Sequence, residues 1–169
     1  VINRYNLDTI DLDIEGDSLT NQDALNRRAK VLADLQKQRR ADGIPLAIWI
    51  TLPVSPQGLT PDGTNAVASM LSNGVDLAGV NVMTMDYGQS KDKSDSMQVS
   101  SEKALNETHR QLGILYKQAG VNLSSGTIWA KLGATPMIGQ NDVRDEKFVL
   151  SDAKGLNEFG ISNKLVRMS

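Results

Sequence analysis

The chain has 169 residues, no cysteine, one histidine and a formal net charge of -2. Without cysteine, disulfides, thiolate metal sites and thiol nucleophiles are excluded, and one histidine excludes any site that needs two. No long basic cluster indicates nucleic acid or an anionic membrane as a partner, and no apolar run approaches the roughly 18 residues of a membrane span.

Five strand-like segments alternate with four helix-like segments. Strands are predicted at residues 7–14, 45–52, 77–85, 127–132 and 165–169, and helices at 21–41, 60–74, 101–119 and 152–159. Thr60 followed by Pro61 is typical of a helix start. Strands that alternate with helices favour parallel pairing. Their spacing fits the roughly 31 residues per unit of a (β/α)₈ barrel, but five strands cannot close one, so the sequence predicts an open doubly wound sheet or part of a barrel.

Acids and apolar residues alternate in the first strand, in the segment DTIDLDIEG at residues 8–16. Because successive side chains of a strand face opposite sides, Asp11, Asp13 and Glu15 share one face, each about 6–7 Å from the next. We call these three residues the acid row. In a barrel they would point into the lumen, with Glu15 at the carboxyl-terminal mouth. Crowding and desolvation would leave the group at least one proton near neutral pH, as a general acid requires.

Two other interpretations of the acid row stay open at this point. An edge strand could turn its acids to water, which is how most charged alternation arises. Alternatively, aligned carboxylate oxygens could hold Mg²⁺ or Ca²⁺.

The spacing Asp8-x-x-Asp11-x-Asp13-x-Glu15 resembles the DxxDxDxE signature of family-18 glycoside hydrolases, the chitinase family, where it occupies the fourth strand of a (β/α)₈ barrel. Three more stretches are similar to bacterial chitinases of this family, in the same order: AIWITLPV at 47–54, GVNVMTMDYG at 79–88 and WAKLGATPMIGQNDV at 129–143. The resemblance implies one partial TIM-barrel catalytic domain over residues 1–169, truncated at both ends, from the fourth strand to the start of the eighth. We expect this piece alone to be inactive.

The resemblance also implies a role for each acid. Glu15 would protonate the glycosidic oxygen and then act as base, Asp13 would orient the substrate's N-acetyl group, and Asp11 would modulate the proton balance of Asp13. Asp8 is spaced so that its side chain would lie on the helix-facing side of the strand, and it is interpreted as structural. The chemistry would be substrate-assisted, with the acetamido oxygen as nucleophile, and would need no metal or cofactor.

The sixth strand of the family usually carries Met-x-Tyr-Asp, and this chain departs from that pattern. The segment MTMDYG at residues 83–88 can be aligned with this pattern in two registers, which differ by two residues. In one register Met85 replaces the tyrosine and Asp86 is the aspartate, and in the other Tyr87 is the tyrosine and a glycine replaces the aspartate. A shift of two preserves the face of a strand, so we expect Met83, Met85 and Tyr87 to point the same way. We predict that Tyr87 supplies the hydroxyl for the acetamido group and leave the role of Asp86 open.

Other residues are weaker candidates for substrate contacts. Trp129 could stack on a sugar ring if it faces the mouth, although packing is the default for a tryptophan in a strand. Lys131, Asn141 and Asp142 could hold sugar hydroxyls, or could be ordinary loop polar residues. His109 is interpreted as solvated surface.

The function implied is hydrolysis of β-1,4 bonds in chitin or N-acetylglucosamine oligomers. The alternatives are an endo-β-N-acetylglucosaminidase that acts on N-glycans and a non-catalytic chitin-binding relative. The expected partner is the oligosaccharide, with no nucleic acid, membrane or obligate protein partner. A polymeric substrate implies secretion.

Overall fold

Strands and helices alternate along the chain, as the sequence predicts. The computed structural model describes all residues from Val1 to Ser169. The elements in chain order are α1 (Ile2–Tyr5), β1 (Thr9–Asp13), α2 (Asp17–Thr20), α3 (Gln22–Ala41), β2 (Ala47–Ser55), β3 (Gly58–Leu59), α4 (Pro61–Ser72), β4 (Leu77–Met83), a 3₁₀ turn (Gly88–Ser90), α5 (Met97–Gln118), α6 (Ser125–Trp129), β5 (Leu132–Thr135), β6 (Gly139–Gln140), β7 (Lys147–Phe148), α7 (Leu150–Asn163) and β8 (Arg167–Met168).

The main sheet is parallel and forms part of a barrel, which confirms the predicted fold class. Its strands lie in the order β1-β2-β4-β5-β8, and the short β3 pairs antiparallel with β2. The sheet curls, so that β1 and β8, at its opposite edges, face each other across a concave surface. Strands β6 and β7 form a separate antiparallel pair in the connection after β5.

The helices cover the convex face of the sheet, where the core lies. In β2, Ile48, Ile50 and Leu52 are fully buried towards the helices. The residues between them, Trp49 and Thr51, face the concave side. The pairing of β2 with β4 shifts by one residue between Ile48 and Trp49 and is regular from Trp49 onwards. Because the strands are parallel, the alternation continues across β4 and β5 and leaves one face of the sheet for chemistry.

Side-chain caps explain where three of the long helices begin. Asn21, Thr60 and Ser96 each accept a hydrogen bond from the backbone N–H three residues further on, at the starts of α3, α4 and α5. No helix is both long enough and apolar enough to span a membrane.

The fourth predicted strand is wrong in position. Residues 125–129 form the helix α6, whose N-cap Ser124 accepts a hydrogen bond from the N–H of Thr127, and the strand begins only at Leu132. A short apolar run is compatible with either a helix turn or a strand. Here the N-cap Ser124 stabilises the helix. Helix α5 also begins earlier than predicted, at its Ser96 cap.

Candidate active site

A cavity of about 620 Å³ lies on the concave face, at the carboxyl ends of the strands. All three members of the acid row line it. Four other predicted residues line it with them: Met83, Met85, Asp86 and Asp142. Seven of the eleven predicted site residues are therefore brought together by the fold.

The pairing of β1 with β2 sets the direction of the acid row. Asp11 lies beside Trp49 and Asp13 beside Thr51, with all four residues on the concave side. Glu15 lies two residues beyond Asp13, the last paired residue, and therefore nearest the mouth of the cavity. Strand β1 is an edge strand and the three acids remain exposed, so the desolvation expected from the sequence is not supplied within this chain.

Asp11 is the member of the acid row that is held by other side chains. Its Oδ2 lies 2.6 Å from a guanidinium nitrogen of Arg167, and its Oδ1 accepts a hydrogen bond of 2.8 Å from the Thr51 hydroxyl. Thr51 in turn accepts a hydrogen bond from the amide of Asn81 at 3.2 Å. The side chains of Asp13 and Glu15 form no such contacts and stand free in the cavity.

Asp86 enters the cavity from the loop after β4. Its backbone has a φ of +49°, a left-handed conformation that a non-glycine residue adopts only when its surroundings hold it. Two hydrogen bonds do so: its N–H donates to the amide oxygen of Asn141, and its carboxylate accepts from the N–H of Val143. Asn141 is buried, and its own amide donates to the carbonyl of Met137. Asn141 therefore positions Asp86 instead of lining the cavity as predicted.

The same loop is also held by a buried acid, Glu146. Its carboxylate accepts hydrogen bonds from the backbone N–H groups of Tyr87 and Gly88, at 2.9 Å and 2.7 Å. The side chain is almost fully buried. The loops that follow β4 and β5 are thus bonded to each other in both directions.

The structure does not bring Tyr87 to the cavity. The strand ends at Met83, so the alternation of faces that placed Tyr87 beside Met85 no longer applies at residue 87. The ring is buried in the core and its hydroxyl donates to Ser101 on α5 at 3.2 Å. Burial raises the pKa of this hydroxyl, although the hydrogen bond with Ser101 opposes the rise.

Trp129 and Lys131 also lie away from the cavity. Trp129 is in helix α6, buried, and stacks on His109 with ring centroids 4.4 Å apart, so His109 is a packing residue and not simply solvated surface. Lys131 precedes β5, at the opposite end of the barrel from the acid row, and its ammonium donates to the carbonyl of Leu77. Both predictions assumed a strand over 127–132, which does not exist.

Sequence reasoning missed several residues of the cavity. Thr51, Asn81 and Thr135 alternate with buried apolar residues on β2, β4 and β5, and this parity could have identified them. Arg167, which lines the cavity, and Glu146, which holds the loop of Asp86 from outside it, carried no local signal, because their partners are distant in sequence. No group of three or more His, Asp and Glu side chains has the geometry of a metal site.

A parallel barrel sheet with an acidic cavity at the carboxyl ends of its strands is the arrangement found in (β/α)₈-barrel enzymes. The chain is 39% identical over 160 residues to a probable bifunctional chitinase/lysozyme of Escherichia coli strain K12 and, to the same extent, to endochitinase 11 of Metarhizium anisopliae. Both matches cover 91% of this chain. The chain is thus homologous to chitinases over most of its length.

Solved structures give the same result. The catalytic domain of the hyperthermophilic chitinase from Pyrococcus furiosus matches with a TM-score of 0.77 and 31% identity, over 99% of this chain. Catalytic-site mutants of active domain 2 of that organism's thermostable chitinase, complexed with chito-oligosaccharides, match with the same values. No protein-family model matches the sequence.

The chain is shorter than all of these relatives. It spans 17% and 30% of the two chitinase sequences and 50% of the solved domains.

Proposed function

We propose that this chain carries the catalytic acids of a family-18 chitinase, which hydrolyses β-1,4 bonds in chitin and N-acetylglucosamine oligomers. The observation that carries the proposal is the convergence of the whole acid row on one cavity at the carboxyl ends of the strands. The homology to chitinases supports the substrate class, and one of the solved relatives was studied with chito-oligosaccharides bound.

Glu15 is the proposed general acid. It lies nearest the mouth and has no side-chain partner, so a glycosidic oxygen could approach it directly. After the leaving sugar departs, the same carboxylate would take the proton of the incoming water.

Asp13 is the proposed partner of the substrate's acetamido group. It lies two residues before Glu15 and lines the same cavity, and its side chain likewise has no hydrogen-bond or ion-pair partner in the protein. The acetamido oxygen would attack the anomeric carbon while Asp13 stabilises the charge that develops on the amide nitrogen. An attack within one sugar unit gains the proximity advantage of an intramolecular reaction, up to several kcal/mol.

The remaining cavity residues would bind the sugars around the scissile bond. Met83 and Met85 offer an apolar wall for the acetamido methyl group and a ring face. Asp86 and Asp142 could accept hydrogen bonds from sugar hydroxyls. Because chitin is an insoluble polymer, we infer that the protein acts outside the cell.

The proposal is tested by Glu15→Gln in the full-length protein. Hydrolysis of chito-oligosaccharides should fall by at least about 10²-fold, the usual contribution of a general acid, while oligosaccharide binding stays largely intact. Glu158→Gln, the same change on an exposed side chain of α7, is the matched control and should leave turnover unchanged. Near-normal turnover of Glu15→Gln would overturn the assignment.

The choice of substrate separates the proposal from its alternatives. Cleavage of chitin oligomers with no release of glycans from a high-mannose glycoprotein supports a chitinase. The reverse result would identify an endo-β-N-acetylglucosaminidase, and binding without hydrolysis would identify a non-catalytic relative.

A further inference from the structure

Methionine supplies most of the apolar side chains that line the cavity. Of the six methionines in the chain, Met83, Met85 and Met137 line it beside the acid row, and no aromatic side chain does. We call these three residues the methionine wall. All three are only partly buried, so their thioethers are open to a small solute that enters the cavity.

The pairing of β4 with β5 explains why these methionines form one group. Met83 lies beside Thr135 in the parallel ladder, and the N–H of Thr84 donates to the carbonyl of Thr135. Thr84 is fully buried away from the cavity, and the next residue returns to the concave side. Met85 and Met137 each stand two residues beyond the Met83–Thr135 pair, so neighbouring strands bring them to the same end of the cavity.

The other three methionines lie outside the cavity and differ in exposure. Met70 and Met97 belong to the core, with 0% and 2% of their surfaces exposed. Met168 on β8 is 42% exposed and does not line the cavity. The chain therefore contains its own buried and exposed reference methionines.

The chemistry that a thioether offers is oxidation by a peroxide to the sulfoxide, and this chain has no cysteine thiol that would react first. The sulfur attacks one peroxide oxygen, the O–O bond breaks and water leaves. Sulfur thus loses two electrons and the peroxide gains them. Hydrogen peroxide is uncharged near neutral pH, so the excess of carboxylates that line the cavity does not repel it.

We propose that the methionine wall is an oxidation site, through which peroxide makes the cavity a poor binding site for sugars. A ligand that packs against the oxidised wall has to desolvate polar S=O groups, which is unfavourable unless they find hydrogen-bond donors. Chito-oligosaccharide binding should therefore weaken by roughly tenfold or more. This effect on binding rests on the proposed function, and the oxidation itself does not.

The experiment treats the full-length protein with hydrogen peroxide and locates the sulfoxides by peptide mass spectrometry. The wall should react at least about tenfold faster than Met70 and Met97, and at a rate close to that of Met168, because susceptibility follows exposure. A saturating chito-oligosaccharide should slow oxidation of the wall and leave Met168 unchanged. A wall that reacts no faster than the two core methionines would overturn the proposal.

Leucine variants connect the modification to binding, because leucine keeps an apolar side chain of similar volume and has no sulfur. The triple variant Met83→Leu, Met85→Leu, Met137→Leu is compared before and after peroxide treatment. Its affinity for chito-oligosaccharide should change by less than about twofold, whereas wild type and the matched control Met168→Leu should each lose roughly tenfold. Equal fractional losses in the triple variant and the wild type would refute the role of the wall.

This proposal and the proposed function fail separately. If the untreated protein neither binds nor hydrolyses chito-oligosaccharide, the proposed function fails, and the peptide map of the wild type still decides whether the wall is an oxidation site. If the untreated protein hydrolyses chito-oligosaccharide and keeps its affinity after the wall is oxidised, the proposed function stands and this inference fails.

Discussion

The carboxylate of Glu146 accepts a hydrogen bond of 2.7 Å from the backbone N–H of Gly88, across 58 residues of sequence. With its second bond, to the N–H of Tyr87, it fixes the turn that carries Asp86 into the cavity. Asn141 and Val143 bond Asp86 itself, so one residue of the candidate site depends on four hydrogen bonds with three residues of the loop after β5.

Glu146→Ala should destabilise the protein and lower its activity. The change leaves the buried N–H of Tyr87 and the part-buried N–H of Gly88 without their acceptor, which costs about 1–3 kcal/mol of unfolding free energy. Urea unfolding of the full-length protein measures the loss, and kcat/KM on chito-oligosaccharides should fall with it as Asp86 loses its position. Asp145→Ala, at the exposed neighbouring position, is the control. Equal unfolding free energies for the two variants would contradict this role.

Gly133→Ala should disturb the contact between Asp11 and Arg167. A methyl group at Gly133 would lie 2.8 Å from the Asn81 oxygen and 3.1 Å from Cβ of Arg167. Overpacking of this kind costs about 1–3 kcal/mol. Gly126→Ala on α6, where a methyl group meets nothing within 4 Å, should be neutral or stabilising by up to about 1 kcal/mol. If thermal unfolding shows the two substitutions to be equivalent, the close approach at Gly133 is not important.

Tyr87→Phe should leave the activity within roughly twofold of wild type, because the hydroxyl bonds Ser101 in the core and does not reach the cavity. The unfolding free energy should fall by about 1 kcal/mol, the usual value of a lost hydrogen bond. Steady-state kinetics on chito-oligosaccharides, beside a denaturant titration, checks both. A large loss of kcat in a stably folded variant would restore the catalytic role that the sequence suggested for Tyr87.

Stability should fall in alkaline solution because of the buried tyrosines. Burial, with a smaller effect of Asp76, raises the pKa of Tyr116 to about 12 from its ordinary value of 10.0. The unfolded chain loses this proton near pH 10 while the native protein keeps it, so the contribution is complete below pH 10 and is lost as the pH rises towards about 12. Tyr116→Phe should flatten that fall, measured as unfolding free energy against pH. An unchanged slope would mean that Tyr116 ionises alike in both states.

Much of the fold could be predicted because its signals are local. The alternation of Ile48, Ile50 and Leu52 with concave-facing residues, and the caps at Asn21 and Thr60, are properties of short segments. The same is true of the acid row, whose common direction follows from the two-residue period of a strand. Where the local signal was ambiguous, over 127–132, residues 127–129 are helical and the strand begins only at Leu132, so Trp129 and Lys131 do not lie where the prediction put them.

Strand parity ends where the strand ends, which is why Met83 lines the cavity and Tyr87 does not. Beyond the last ladder hydrogen bond the backbone direction is set by loop contacts, here those of Glu146 and Asn141. These partners lie more than fifty residues away, and no periodicity connects them to the segment that they hold.

By itself the sequence determined the strand–helix order, the face on which Asp11, Asp13 and Glu15 lie, and the position of Glu15 at the end of its strand. Only the tertiary structure decided that Arg167 meets Asp11, that Glu146 holds the Asp86 turn and that Tyr87 turns into the core. The physical reason is that backbone periodicity is a property of neighbouring residues, whereas the closing of a curved sheet brings together side chains from its two edges.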